Sequence, residues 1–216
     1  MSELTLRISE IFFSLQGETK TIGLPTAFVR LTGCPLRCSY CDTEYAFQGG
    51  ELKTLGEILA ELATWRVRYI TVTGGEPLAQ PNCKALLTVL CDAGYEVSLE
   101  TSGALSIGGI DERVSVVMDV KTPASNESHR NLYRNLDLIQ AKDQLKFVVC
   151  SRADYEWARF KIDEYKLLEK TEEILFSPSF GQLSATELAD WIVADQLPVR
   201  FQLQLHKILW NDEPGR

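Results

Sequence analysis

The chain has 216 residues, of which 45% are hydrophobic and 24% are charged, and this composition excludes disordered, collagen-like and coiled-coil chains. Its 22 basic and 30 acidic residues give a net charge of −8, which argues against nucleic acid or an anionic membrane surface as the main partner. The longest apolar runs are too short for a spanning helix and the charged N-terminus does not resemble a signal peptide, so we expect a cytoplasmic protein whose six cysteines are reduced.

Runs of apolar and β-branched residues recur along the chain and predict strands. They are Thr26–Leu31, Tyr69–Thr73, Glu96–Glu100, Val114–Val120, Gln144–Val149, Glu173–Phe176 and Val199–Leu205. Several of these runs are continuously apolar, which is typical of strands buried on both faces of a parallel sheet.

Amphipathic patterns between these runs predict helices at Thr54–Trp65, Asn82–Ala93, Arg152–Lys170 and Ser184–Ala194. The first and the last begin with the spacing of a capping box, Thr54 with Glu57 and Ser184 with Glu187. The alternation predicts an α/β fold with a mostly parallel sheet, either open or a fragment of a barrel. Because the pattern has no repeat and no linker, we expect one domain over residues 1–216, with its chemistry at the carboxyl ends of the strands.

Three cysteines, Cys34, Cys38 and Cys41, follow the first predicted strand within eight residues. Thiolates are the natural ligands of iron–sulfur clusters and of zinc. A structural zinc site needs four protein ligands, and no fourth cysteine lies nearby, so a 4Fe–4S cluster with one open iron fits better. Zinc with a distant ligand, or buried thiols without metal, are the alternatives. The other cysteines, Cys83, Cys91 and Cys150, are expected to be core thiols.

A pair of glycines follows the second predicted strand, in the segment Gly74-Gly75-Glu76-Pro77. Glycine lets a ligand approach the backbone closely. The cysteine loop followed by this segment resembles the radical S-adenosylmethionine (SAM) superfamily. The resemblance implies that SAM chelates the open iron through its amino and carboxylate groups. It also implies that Gly75 and Glu76 hydrogen-bond the amino group and that Tyr40 approaches the adenine.

Further motifs narrow the resemblance. They are Phe13-Ser14-Leu15-Gln16-Gly17-Glu18, Phe28-Val29-Arg30-Leu31, Cys41-Asp42-Thr43, Glu100-Thr101-Ser102-Gly103 and Gln204-Leu205-His206-Lys207. In this order, over nearly the whole chain, they resemble the 7-carboxy-7-deazaguanine synthase family. The resemblance implies a radical ring contraction of 6-carboxy-5,6,7,8-tetrahydropterin with loss of ammonia and regeneration of SAM, on the pathway to queuosine-type tRNA bases.

The resemblance also has implications for the fold and the partners. It implies an incomplete TIM-like β/α barrel whose open, substrate side is covered by the N- and C-terminal segments. The implied cofactors are a 4Fe–4S cluster, SAM and Mg²⁺. The implied partners are a pterin substrate, a flavodoxin or ferredoxin reductant, and a second copy of the chain in a homodimer.

The matching motifs imply roles for single residues. The residues implied to bind SAM are Tyr40, Cys41, Asp42, Gly75, Glu76, Ser102, Asp119, Val120, Lys121 and Ser177. Those implied to bind substrate are Leu15, Gln16, Gly17, Arg30, Thr73 and His206. Thr43 is implied to bind Mg²⁺, since a hydroxyl oxygen suits this hard ion. No general base stands out, and Glu18 and Glu100 are candidates only.

Some of these residues also allow a purely structural interpretation. A guanidinium suits a substrate carboxylate, yet Arg30 at a strand end is equally suited to a structural ion pair. Asp42-Thr43 alone would be an ordinary turn, and a single histidine near a chain end, such as His206, is commonly structural.

Two other functions share part of the pattern. A glycyl-radical-enzyme activase has the same cluster loop and Gly-Gly-Glu segment but acts on a protein, and the Gln-Gly-Glu, Asp-Thr and His-Lys motifs favour the pterin enzyme over it. An electron-transfer iron–sulfur protein normally has a closed cluster. Two features depart from the pattern: Thr19 stands where the family usually has Gly, and the tail Ile208–Arg216 has no assigned role.

Overall fold

Strands and helices alternate along most of the chain in a computed structural model that describes residues 3–211, 213 and 215. The strands are β1 (Thr5–Leu15), β2 (Pro25–Leu31), β3 (Glu51–Thr54), β4 (Tyr69–Gly74), β5 (Glu96–Thr101), β6 (Ser115–Asp119), β7 (Gln144–Val149), β8 (Glu173–Pro178) and β9 (Arg200–Phe201). The helices are α1 (Leu55–Leu62), α2 (Cys83–Asp92), α3 (Arg152–Glu164), α4 (Ala185–Ala194) and α5 (Leu205–Trp210).

Within the described ranges, the strands form one nine-stranded sheet in the order β3-β1-β2-β4-β5-β6-β7-β8-β9. From β2 through β4 to β9 neighbouring strands are parallel, whereas β1 pairs with β2 and β3 in antiparallel fashion. Because the parallel strands all end at the same edge, the segments that follow them converge there.

The two faces of the sheet differ in chemistry because side chains alternate along a strand. In β4, Ile70 and Val72 pack into the core with the helices. The intervening Thr71 and Thr73 point to the other face, where Thr71 accepts a hydrogen bond from Gln16 and Thr73 donates one to Glu100. In β4 the inner face is therefore polar and the outer face apolar.

The apolar face is covered by helices in two clusters. One cluster joins β1, β2, β4 and β5 to α1 and α2, and it contains the buried thiols Cys83 and Cys91. The other joins β6, β7 and β8 to α3 and α4 around Phe147, Tyr155 and Phe176. The prediction of core thiols is confirmed for the α2 pair, whereas Cys150 is only half-buried.

The largest differences from the predicted bounds concern one helix and one strand, both of which are shorter in the structure. The helix predicted at Arg152–Lys170 ends at Glu164, because Lys166 takes a left-handed conformation (φ 49°) that stops the helix. The strand predicted at Val199–Leu205 is only Arg200–Phe201. The chain leaves the sheet after Phe201, and α5 begins at Leu205, whose N–H donates to the Gly17 carbonyl.

The two predicted capping boxes have different outcomes. At α1 both reciprocal bonds form, with the Glu57 N–H donating to Thr54 Oγ1 (3.1 Å) and the Thr54 N–H donating to Glu57 Oε2 (2.8 Å). At α4 the prediction was wrong: in the described part of the chain Ser184 makes no side-chain capping bond. The helices within the described residues include none long and apolar enough to cross a membrane.

Candidate active site

A cavity of about 540 Å³ lies at the carboxyl ends of the parallel strands. Inner-face side chains from four strands form part of its wall: Thr73, Glu100, Val117, Asp119, Lys146 and Val148. Of the site residues predicted from the sequence, all line this cavity except Glu76, Val120 and Ser177. The chain therefore brings sixteen of nineteen predicted residues to one place, while the role of each stays a prediction.

The cysteine loop forms one side of the cavity, and all three thiols line it. Its backbone is held by Arg37, whose Nη1 donates to the carbonyls of Cys34 (2.8 Å) and Leu36 (2.6 Å). Burial raises the pKa of the thiols of Cys34, Cys38 and Cys41, and the Lys121 ammonium opposes that rise in each case. A nearby cation favours the thiolate form that metal binding requires.

The glycine pair packs directly on the cysteine loop. A Cβ at Gly75 would lie 2.3 Å from the Gly33 carbonyl oxygen and 2.8 Å from the Cβ of Cys34. Gly74 has φ +146°, and a Cβ there would lie 2.2 Å from the Leu31 carbonyl oxygen. Only glycine fits at either position, and the two loops are thereby locked together.

Glu76 has a different position from the one expected for a cofactor-binding side chain. Its carboxylate is fully buried and accepts hydrogen bonds from the Thr101 hydroxyl (2.9 Å), the Ser102 N–H (2.7 Å), the Ser102 hydroxyl and the Leu78 N–H (3.0 Å). With its acceptor positions occupied, the carboxylate anchors the end of β5. The glycine backbone of this turn, rather than the Glu76 side chain, faces the cavity.

Two other predicted residues also point away from the cavity. Val120 is buried in the core cluster of β6 to β8. Ser177 is buried, and its hydroxyl donates to the Gln202 carbonyl (2.9 Å), which ties β8 to the segment after β9. Asp119 and Lys121, on either side of Val120, line the cavity instead.

The cysteine loop and the end of β6 each carry a buried polar atom that fits a ligand. In the described part of the chain, the Tyr40 hydroxyl and Asp119 Oδ1 are buried without a hydrogen-bond partner. Burial raises the pKa of Tyr40, and its neutral hydroxyl can donate. Asp119 Oδ2 accepts from Lys121 Nζ (2.8 Å). Buried polar atoms are normally satisfied, so this part of the cavity is suited to a polar ligand such as SAM.

The turn after β1 lies against the inner face of the sheet. The Gln16 amide donates to Thr71 Oγ1 (3.0 Å) and Glu100 Oε1 (3.3 Å). Its Oε1 accepts from the N–H groups of Gly17 (2.7 Å) and Glu18 (3.0 Å). Since both ends of this buried side chain are used, Gln16 fixes the turn across β4 and β5 as one border of the cavity.

A buried ion pair joins this turn to β7. Lys146 Nζ donates to Glu18 Oε2, and both side chains line the cavity. Although burial alone would raise the pKa of Glu18, the Lys146 ammonium holds it below its usual value. Conversely, burial would lower the pKa of Lys146, but the Glu18, Asp119 and Glu100 carboxylates raise it. The pair is therefore fully charged at neutral pH.

Glu100 differs from Glu18 although the two share one wall. Burial, followed by the negative charge of Glu18, raises the pKa of Glu100 above its usual value. A carboxyl group whose pKa is raised stays protonated at pH values closer to neutral. The structure thus separates the two candidate acid–base groups into a fixed anion and a titratable carboxyl.

Arg30 and His206 both line the cavity. Arg30 Nε donates to Glu10 Oε1 (2.6 Å), and Tyr45 also donates to this oxygen (2.8 Å). Arg30 therefore has the structural ion pair and also lines the cavity. His206, at the start of α5, lies so close to Gly17 that a Cβ on this glycine would be 2.8 Å from its Nδ1.

A group of metal-binding type lies beside the cysteine loop. Ligand atoms of Glu18, Asp42 and His206 lie within 4.8 Å of one another. Lys207 Nζ pairs with Asp42 Oδ2 (2.9 Å), as Lys146 does with Glu18. The carboxylates of Glu18 and Asp42 are thus already paired with lysines. These residues therefore fit Mg²⁺ less well than the predicted site at Thr43, which would use one protein oxygen together with substrate oxygens.

Among the cavity residues to which the sequence analysis gave no role are Lys146, Gln204 and Lys207, although the last two lie in a quoted motif. Gln204 donates to Glu18 Oε1 (2.8 Å) and to Asp42 Oδ2 (3.1 Å), and so joins the C-terminal segment to the cysteine loop. The signal for Lys146 was present, because a lysine in the middle of the apolar strand β7 requires a polar partner.

Comparison with known proteins identifies the class to which this fold and cavity belong. The family model of the radical SAM superfamily matches residues 28–124, which include the cysteine loop and the glycine pair. The crystal structure of QueE from Escherichia coli superposes with a TM-score of 0.75 at 23% identity, covering 93% of this chain and 94% of that one. The fold is thus a partial, TIM-like barrel of the radical SAM class, and the predicted fold class is confirmed.

Full-length relatives define the family. The 7-carboxy-7-deazaguanine synthase of Chlorobaculum tepidum is 44% identical over 215 residues, which cover 98% of this chain and 97% of the relative. That of Koribacter versatilis is 39% identical, with 96% and 98% covered. The chain belongs to the 7-carboxy-7-deazaguanine synthase family. Membership in the radical SAM superfamily implies a 4Fe–4S cluster and SAM as cofactors.

Proposed function

We propose that the protein converts 6-carboxy-5,6,7,8-tetrahydropterin to 7-carboxy-7-deazaguanine with loss of ammonia. One observation carries the proposal: the cysteine loop and the Gln16-Gly17-Glu18 turn face the same cavity. A cofactor on the three thiols and a substrate on the turn would therefore meet. The family relatives named for this activity support the same assignment.

The three cysteines would hold the cluster, and the glycine backbone with Tyr40 and Asp119 would hold SAM. When bound, the reduced cluster and SAM supply a carbon-centred radical that can take a hydrogen atom from the substrate. The protein supplies orientation and exclusion of water. The chemistry of the donors fits: three thiols leave one iron open, and the two unpartnered oxygens lie next to them in the cavity wall.

The substrate would lie between the turn after β1 and the end of β2. Arg30 would bind the substrate carboxylate, because a guanidinium forms paired hydrogen bonds with such a group. The Gln16-Gly17-Glu18 turn and His206 would recognise the polar edge of the pterin. Glu100, whose pKa is raised by burial, would hold the proton that leaves with ammonia at one of its carboxyl oxygens.

Mg²⁺ would bind at Thr43. Its hydroxyl lines the cavity and donates to Asp42 Oδ1 (2.9 Å) in the structure, so this side chain is positioned by its neighbour. Mg²⁺ usually takes one or two protein oxygens, several waters and oxygens of the substrate. Bound in this way, it would orient the substrate and accept negative charge from its oxygens.

The proposal also covers domain organisation and partners. The sheet and both terminal segments would form a single domain over residues 1–216. A flavodoxin or ferredoxin would be the reductant, and the protein would be a homodimer. Glu213 and Gly215 line the cavity, so these two residues of the tail would help to cover it; residues 212, 214 and 216 lie outside the described residues. The acidic composition is consistent with a cytoplasmic enzyme of small molecules.

An anaerobic assay tests the reaction. The protein with reconstituted cluster is incubated with dithionite, SAM, Mg²⁺ and 6-carboxytetrahydropterin, and the products are identified by mass spectrometry. We expect 7-carboxy-7-deazaguanine, and we expect its loss in the Cys38→Ala variant. Deoxyadenosine without this product would reject the pterin substrate and favour the activase. An intact cluster that forms neither product would favour an electron-transfer protein.

A further inference from the structure

The cysteine loop rests on a second loop, residues 122–127, which follows β6 and which we call the bracket segment. On the N-terminal side of Cys38, the Arg37 backbone N–H donates to Glu127 Oε1 at 2.6 Å. This bond connects a side chain of the bracket segment to the backbone immediately before the middle cysteine.

On the other side of the same cysteine, Ser39 makes two bonds to the bracket segment. Its N–H donates to the Ser125 carbonyl (3.1 Å), and its hydroxyl donates to the Ala124 carbonyl (2.6 Å). The residues on both sides of Cys38 are therefore fixed to one short segment. These bonds restrict the backbone of Cys38 and therefore the position of its thiol.

The bracket segment itself is tightly closed. The N–H and the hydroxyl of Ser125 both donate to the Thr122 carbonyl, at 3.1 Å and 2.6 Å, and the Ser125 hydroxyl accepts from the Glu127 N–H (3.1 Å). The Thr122 hydroxyl donates to the Val148 carbonyl of β7 (2.8 Å). The segment is thus a rigid turn attached to the sheet.

Asp154, in the first turn of α3, supports the bracket segment from behind. The side chain is 1% exposed, and it accepts from the Ala124 N–H through Oδ1 (3.1 Å) and from the Cys150 N–H through Oδ2 (3.1 Å). One carboxylate therefore joins the bracket segment to the end of β7. Asp154 does not line the cavity and touches none of the three cluster cysteines through a hydrogen bond in the described part of the chain.

We propose that Asp154 and Glu127 are positioning residues for the iron–sulfur cluster, acting through the bracket segment on the backbone around Cys38. The inference rests on the proposed function in that a cluster occupies the cysteine loop. Groups that orient metal ligands from the second layer commonly change metal affinity by about 10- to 100-fold when removed. We expect the cluster to be lost faster when either anchor is removed.

A matched control exists at the opposite edge of the sheet. Asp143 is also buried (2% exposed) and also accepts from two backbone N–H groups, those of Val116 (2.9 Å) and Gln140 (2.9 Å). It precedes β7, whereas Asp154 follows it, so Asp143 lies away from the cysteine loop. Because Asp143 also pairs with Lys142 Nζ (3.0 Å), Asp143→Asn should lower the thermal stability at least as much as Asp154→Asn, but only Asp154→Asn should affect the cluster.

The experiment follows the rate at which the reconstituted, anaerobic protein loses its visible cluster absorbance to an iron chelator. We expect Asp154→Asn to lose the cluster about tenfold faster than the wild type, and Asp143→Asn to lose it at the wild-type rate. Glu127→Ala should also accelerate the loss, whereas Glu127→Gln, which keeps an acceptor for the Arg37 N–H, should restore the wild-type rate. Glu127 is only half-buried, so its variants should fold.

The outcomes separate this inference from the proposed function. Equal rates in all variants, with a cluster present and product formed, would overturn the bracket role and leave the function intact. Faster loss in Asp143→Asn as well as Asp154→Asn would also overturn it, since general destabilisation would then explain the effect. A wild-type protein that holds no cluster would overturn the proposed function itself.

Discussion

Gln16 shows how one side chain organises the substrate side of the cavity. Its amide spans Thr71 on β4 and Glu100 on β5, while its oxygen holds its own turn. A buried amide satisfied at both ends costs little to desolvate and is rigid. The contact with Gln16 also fixes one oxygen of Glu100. The titration of Glu100 can be measured through the stability of the protein.

The raised pKa of Glu100 makes stability depend on pH. Between its unfolded pKa and the raised folded pKa, the folded state binds more protons, so stability falls as pH rises through this window. Glu100→Gln removes that fall. We expect its unfolding free energy relative to that of the wild type to increase as the pH rises from the usual carboxyl pKa through the raised one, by about 1.4 kcal/mol for each unit by which the Glu100 pKa is raised.

Thermal unfolding of the cluster-loaded protein at several pH values checks this prediction. Glu112→Gln, at an exposed glutamate, serves as the control and should follow the wild type. An advantage of Glu100→Gln that is constant over the whole range, or largest at low pH, would contradict the assignment of a raised pKa.

Gly17→Ala tests the contact between the two terminal segments. The added methyl group would lie 2.8 Å from His206 Nδ1 and must displace it, at a cost of about 1–3 kcal/mol for overpacking. We expect KM for the pterin to rise about tenfold or more, with a smaller change in kcat. Gly56→Ala, whose Cβ would meet nothing closer than 3.9 Å, is the control and should leave KM unchanged.

At the scale of single elements, α1 and α4 offer a comparison of two N-caps. Thr54 has its full capping box, whereas within the described residues Ser184 makes no side-chain cap. Thr54→Ala should therefore cost about 1 kcal/mol of unfolding free energy and about 2–4 °C in melting temperature. Ser184→Ala should stay within about 0.5 kcal/mol of the wild type. Equal losses in chemical denaturation would show that the observed bonds do not determine the difference.

The elements that sequence reasoning found are those whose pattern is local. Gln144–Val149 was predicted with its observed bounds because an apolar, β-branched run needs no distant information. The antiparallel strands β1 and β3 were missed. In β1 the buried Leu6 and Ile8 alternate with exposed positions, but Arg7 and Glu10 within the strand weaken the apolar pattern.

The site residues likewise include some that the sequence predicts and some that depend on distant parts of the chain. The three cysteines and the glycine pair could be predicted because their chemistry or their lack of a side chain requires that residue type. The direction of the Glu76 carboxylate could not be predicted, since it depends on Thr101, the last residue of β5, and on Ser102, which follows it. The partner of Lys146 could not be predicted for the same reason, because Glu18 is 128 positions away.

At the scale of the whole molecule, buried polar contacts hold the terminal segments to the barrel. Glu18 connects the N-terminal turn to Lys146 on β7, and Gln204 connects the C-terminal segment to the same carboxylate. These contacts cross the inner face of the sheet. Charge pairing and hydrogen bonds therefore contribute to the closure of the cavity.

Lys146→Met would leave Glu18 buried without its main partner, and we expect a loss of about 3–5 kcal/mol of unfolding free energy. Adding Glu18→Gln removes the unpaired charge and should recover a large part of that loss. A double-mutant cycle from chemical denaturation measures the coupling. Additive losses from the two substitutions would contradict a buried, charged pair.

The central claim is that one cavity joins the cluster, SAM and the pterin in a reaction that regenerates SAM. Its most direct test is the amount of 7-carboxy-7-deazaguanine formed anaerobically when SAM is limiting and the pterin is in excess. The account predicts that the product exceeds the SAM supplied and that Cys38→Ala forms none. Product that stops at the amount of SAM, or deoxyadenosine that accumulates while no deazaguanine forms, would contradict it.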